Sequence, residues 1–150
     1  MKKLFALILA IVLLLPGCGT PARKYFIEEK DWQVVTVQSA EDGRVLFIGD
    51  GRQDAYPDAV VIALSCKAEG GRLVFTTADQ THEGSYALQQ SDDNAAIYTV
   101  TVGEETGPAA VSVTTYGDGR AEQTLVMQLG GYSLYFDIAF CCFWCPEKVE

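Results

Sequence analysis

The sequence predicts an all-β domain: a single antiparallel meander of about eight or nine strands, closed as a barrel or folded as a β-sandwich, behind a cleaved helical signal peptide. Three observations carry this reading. Short runs rich in Val, Ile, Thr, Tyr and Phe alternate apolar and polar residues with a period of two, as a strand with one buried and one solvated face requires. Turns rich in Gly and Asp interrupt these runs at roughly twelve-residue spacing. After the opening apolar run, no window of about eleven residues keeps a helical period.

The chain opens with Lys2 and Lys3, an unbroken apolar run over 4–15, and the small residue Gly17 just before Cys18. Basic, apolar and small segments in that order are the secretory layout. The run is too short to span a ~30 Å hydrocarbon core comfortably, so a permanent transmembrane helix is the weaker reading. Leu15-Pro16-Gly17-Cys18 resembles the bacterial lipobox, with a Leu three before the Cys and a small residue directly before it. Pro16 departs from the usual small residue at its place. The resemblance implies diacylglycerol on the Cys18 sulfur, cleavage after Gly17 and acylation of the new amino terminus.

Residues 18–31 then read as a lipidated cysteine and tether, with no period of two and with the apolar trio Tyr25-Phe26-Ile27 as a docking element. The β domain follows over 32–140. Its expected strands are 32–38, 44–48, 59–66, 72–77, 85–89, 95–102, 109–116, 123–129 and 132–140. Val60, Ile62, Leu64 and Cys66 share one parity, as do Tyr86 with Leu88, Val111 with Val113, and Leu134, Phe136, Ile138 and Phe140. Leu64, Phe75, Leu88, Val113, Met127 and Phe136 are the expected interior, as a packed core or, less simply, an apolar pocket. Short connections imply that neighbours in sequence pair as hairpins. A short helix over 49–58 has no supporting pattern. Strand number, size and turns are similar to those of small lipocalin-like barrels, a likeness of architecture without a signature motif.

A tetrapeptide recurs as Glu41-Asp42-Gly43-Arg44, Gly49-Asp50-Gly51-Arg52, Glu69-Gly70-Gly71-Arg72 and Gly117-Asp118-Gly119-Arg120. As ion loops these offer too few acidic ligands at alternating positions. As turns they supply the positive φ that hairpins need, at Gly43, Gly71 and Gly119, with Arg opening the next strand.

Cleavage after Gly17 removes two lysines, so Lys plus Arg falls from 11 to 9 against 20 carboxylates, a formal charge of −11. Such a body repels nucleic-acid phosphates and anionic headgroups. Membrane attachment must then come from the acyl chains, at about 0.8 kcal/mol per buried CH₂. With Cys18 lipidated, Cys66, Cys141, Cys142 and Cys145 remain, and an extracytoplasmic setting permits disulfides. Cys66 and Cys142 share the core parity of their strands and are the expected pair, provided the last strand runs straight through Phe140. Residues 141–150 form a Cys-rich tail in which Cys142 and Cys145 make a C-x-x-C. Only five residues follow Cys145, too few for the helix that lowers a redox thiol's pKa. A zinc set of Cys141, Cys142, Cys145 and His82 is hampered because adjacent cysteines on a strand point to opposite faces.

His82 lies outside any H-E-x-x-H spacing, and no G-x-S-x-G or complete dinucleotide-binding glycine pattern occurs. The carboxylate pairs Glu28-Glu29, Asp92-Asp93 and Glu104-Glu105 fall in polar connectors. The expectation is therefore a non-enzymatic envelope lipoprotein without cofactor or metal. It would be held to the membrane by acyl chains on Cys18, on the extracytoplasmic side. Gly19 carries no acidic retention signal, so an outer membrane is open as its destination where a second membrane exists. The β domain would bind a ligand or an envelope protein and not nucleic acid. The alternatives are a purely structural or interaction module, and a thiol-redox or metal-binding protein acting through its tail.

Overall fold

Turn chemistry decides how the strands connect. At 70–71 and 130–131 two consecutive glycines both take positive φ, between the closing pairs Glu69↔Arg72 and Leu129↔Tyr132. That is the two-residue hairpin whose twist matches the strands it joins, and only glycine adopts it freely. The structure is a computed structural model and describes residues 26–139 other than Glu29, Asp93, Asn94, Tyr116 and Arg120. The expected signal peptide, Cys18, Phe140 and the Cys-rich tail lie outside the described residues.

The described strands are β1 (Asp31–Ser39), β2 (Val45–Ile48), β3 (Val60–Val61), β4 (Leu64–Glu69), β5 (Arg72–Thr77), β6 (Thr81–Ser91), β7 (Ala95–Val102), β8 (Glu105–Thr115), β9 (Ala121–Leu129) and β10 (Tyr132–Ile138). From β4 to β10 each strand pairs antiparallel with the next. β1 then pairs with both ends of that meander, with β4 at Asp31–Gln33 and with β10 along its whole length. The result is a closed eight-stranded antiparallel barrel, with β2 and β3 added outside it. Closure leaves the barrel strands without an open edge, and it settles the choice between barrel and sandwich.

The period of two aims one residue in two at the axis. Trp32, Cys66, Leu73, Val100, Val111, Leu125, Met127 and Phe136 are fully buried there, and the Phe75 and Phe136 rings lie 6.5 Å apart. An eight-stranded barrel is just wide enough for side chains to fill, and here they do. Phe75, Met127 and Phe136 lie deep, as expected, and Leu64 and Val113 sit half-buried toward the ends. At Gly107 in β8, a Cβ atom would stand 1.8 Å from the carbonyl oxygen of Gln128. Only glycine allows β8 and β9 to approach so closely.

Three expectations are corrected. The strand placed at 59–66 is two: β3, then β4 after a break at Ile62-Ala63. Val60 and Val61 are 58% and 43% exposed, so Val60 does not share the interior with Cys66. The cause is the edge of β1, which is divided between two partners. Its lower part, Asp31–Gln33, holds β4, and its upper part, Thr36–Gln38, holds β2. A chain leaving β2 therefore cannot form a hairpin and reach β4. It turns through 49–59, runs parallel to β2 for two residues, then steps down to β4. Parallel pairing needs such a long connection. In that loop, three backbone hydrogen bonds among residues 52–59 make successive turns and no helix.

Leu88 is the third correction, at 49% exposed rather than interior. β5 pairs with β6 only as far as Arg72↔Ser85, so β6 runs on past the 70–71 turn and carries Leu88 beyond the rim. β6 and β8 both begin earlier than expected, at Thr81 and Glu105. Gly43, Gly71 and Gly119 do hold positive φ. The Gly49 copy of the tetrapeptide opens the long loop instead of a hairpin.

Candidate functional site

The two ends of the barrel differ. At the end where β1 starts, the residues just before it fold inward. Ile27 is fully buried within the interior cluster. Its amide donates to the Tyr98 hydroxyl at 3.2 Å, and its carbonyl accepts from Trp32 Nε1 at 2.8 Å. Next to it, the Tyr86 hydroxyl donates to the Glu28 carboxylate. The Tyr86 and Tyr98 rings meet edge-on, with centroids 5.8 Å apart. A buried backbone segment needs partners for its polar groups, and two aromatic side chains supply them. Burial, reinforced by the Glu28 carboxylate, pushes the Tyr86 hydroxyl up to about 12, and burial raises Tyr98 as well. Both hydroxyls are therefore protonated at neutral pH, Tyr86 donating to Glu28 and Tyr98 accepting from Ile27. Residues 26–28 act as a strap that closes this end.

The opposite end stays open. Val37 of β1, Phe47 of β2, Val102 of β7, Leu129 of β9, and Tyr132 and Leu134 of β10 converge there around an apolar cleft of about 440 Å³. Phe47, Val102, Leu129 and Leu134 pack on the core beneath, while Tyr132 is 45% exposed. Two acidic turns border the cleft. Glu104 sits in the β7–β8 turn and Glu105 opens β8, with its side chain against Gly130. Glu41 and Asp42 sit in the β1–β2 turn, which the Ala40 amide ties to the Gly131 carbonyl at 2.9 Å. All four carboxylates are exposed. The Asp42 carboxyl is held below its usual range by the backbone amide of Arg44 at 3.1 Å.

Of the residues singled out from sequence, Cys18 and Cys142 lie outside the described residues. Cys66 is fully buried, opposite Trp32 on β1 and Phe75 on β5, and burial pushes its thiol up to about 12. It lies in the row Cys66–Trp32–Ile138, at the level where β10 ends. A bridge from Cys66 to Cys142 would thus need the chain to double back after Ala139. A straight run would move on by about 3.4 Å per residue. His82 is exposed on β6, and no group of three or more His, Cys, Asp or Glu residues able to hold a metal occurs among the described residues. The Asp92 and Glu104-Glu105 carboxylates are exposed, as solvated connectors should be.

No protein family, curated protein or solved structure matches this chain. The sequence marks Tyr25-Phe26-Ile27 as a docking element, and Ile27 does dock, but neither the barrel end it closes nor the mouth is foreseeable from the pattern. Ile27 is one apolar residue without a period, and its partner Tyr98 lies 71 positions away. The mouth is assembled from strands far apart in sequence, and only closure brings them together.

Proposed function

We propose that this chain is an envelope lipoprotein, anchored on the outer side of the membrane by acyl chains on Cys18, whose barrel acts by binding a partner rather than by catalysis. The observation that carries the reading is the strap. Residues 19–26 extend at most about 30 Å between the lipid-bearing Cys18 and the buried Ile27. The anchor would therefore lead directly into one barrel end and hold that end toward the bilayer. The filled interior argues against a ligand carried deep inside, and leaves the open mouth, facing away from the membrane, as the surface for binding. Cys66 does not suit thiol chemistry, because reactivity needs the thiolate and its burial opposes that form.

The test is metabolic labelling with a clickable fatty acid, comparing the wild-type chain with Cys18→Ser. Label and membrane fractionation should both be lost in the variant. Undiminished label on Cys18→Ser would overturn the lipid anchor.

A further inference from the structure

We infer that the open barrel mouth is a docking site for a basic peptide segment of an envelope protein, one that inserts a single large apolar side chain. The proposal rests on the binding role given above and names the partner's chemistry. Depth limits what can enter. The cleft of about 440 Å³ ends on Val37, Val102, Leu129 and Leu134, and below them Val100, Met127 and Phe136 fill the barrel. A long acyl chain entering end-on has no channel to occupy, whereas one Leu or Phe side chain fits a shallow apolar floor. Tyr132, nearly half exposed at the lip, offers an aromatic wall of the kind that anchors protein contacts.

Charge selects the flanks of that segment. Glu105 at the start of β8 lines the cleft, and Glu104 precedes it in the β7–β8 turn. The β1–β2 turn, tied to Gly131, carries Glu41 and Asp42 at the same barrel end, where Arg44 is the one cation in 40–44 and 103–105. A segment with lysines or arginines on either side of its apolar anchor meets opposite charge at both turns. An acidic segment meets like charge, which disfavours the wrong partner and slows its encounter. Anionic lipid is disfavoured by the same charge and by the strap, which would tie the opposite end toward the bilayer.

The experiment uses the full-length lipidated protein in nanodiscs and three short probe peptides: lysines flanking a phenylalanine, glutamates flanking a phenylalanine, and lysines flanking a serine. Affinity is read by calorimetry, and location by amide shift changes. The lysine–phenylalanine probe should bind saturably, shift amides of 103–105 and 129–134, and bind about tenfold or more tighter than either other probe. Its affinity should fall with salt. Tyr132→Ser should weaken it about fivefold or more. The double variant Glu104→Lys, Glu105→Lys should bind the glutamate–phenylalanine probe instead. Equal binding of both phenylalanine probes, or lysine–phenylalanine binding indifferent to both variants, would overturn the proposal. Absence of binding by a protein that still carries its lipid overturns this inference and leaves the anchor standing. Mouth-specific binding by a chain found to be unlipidated supports the inference and overturns the anchor.

Discussion

Three protons report on the packing of single side chains. Tyr86, Tyr98 and Cys66 are all held protonated by burial, with the Glu28 carboxylate also acting on Tyr86. In the unfolded chain they ionise at their ordinary values, 10.0 for tyrosine and 9.0 for the thiol. Over the interval above those values the unfolded state binds fewer protons than the folded state, so stability falls as pH rises. For Cys66 and Tyr86 the stabilisation is complete below about pH 9 and is lost as pH climbs toward about 12, and Tyr98 acts in the same direction. Urea melts at about pH 8 and about pH 11 should show a clear drop in midpoint, and the drop should shrink in Tyr86→Phe. An unchanged midpoint would mean that these groups are not buried as described. Opposite charges matter less at this scale. The pairs Arg52–Asp137 at 3.3 Å and Lys67–Asp31 at 2.8 Å are exposed and screened by water, so they add little.

Among the elements, the strap is the one whose removal is most informative. Ile27→Ala deletes a fully buried side chain and should cost about 2–5 kcal/mol, read as a lower urea midpoint of the soluble chain. A loss under about 0.5 kcal/mol, the range of ordinary surface changes, would show that the strap does not plug the barrel. Most of the barrel strands were legible in the sequence because the alternation that names a strand also fixes which face is inside. β5, β7 and β10 begin where the period begins, β9 starts two residues earlier than the period does, and the Gly-Gly turns announce two of the hairpins. The alternation fails where a strand has no buried face. Thr81, His82 and Glu83 are all exposed, so the start of β6 carries no apolar signal, and both residues of β3 are exposed valines. Parity also says nothing about how far a partner strand extends, so it assigns Leu88 to the interior although β5 stops short of it. The apolar trio at 25–27 signals docking, but where it docks, and the mouth as a whole, lie beyond pattern reading because each depends on contacts made only after the sheet closes.

At the scale of the whole molecule, the two ends of the barrel are unlike. One end is closed by the segment that leads back to Cys18, and the other offers an apolar floor between acidic turns. The two ends would then stand at different heights above a membrane, with the 70–71 turn and the β6–β7 hairpin near it and the 40–43, 103–104 and 130–131 turns away from it. The measurement that tests this most directly is paramagnetic broadening of amide signals of the lipidated full-length protein in nanodiscs doped with a gadolinium-chelating lipid. The expected result is strong broadening at Gly70, Gly71 and Gln90, with weak broadening at Gly43, Gly103 and Gly131. Stronger broadening at the mouth turns, or equal broadening at both ends, would contradict an anchor that enters the barrel through the strap.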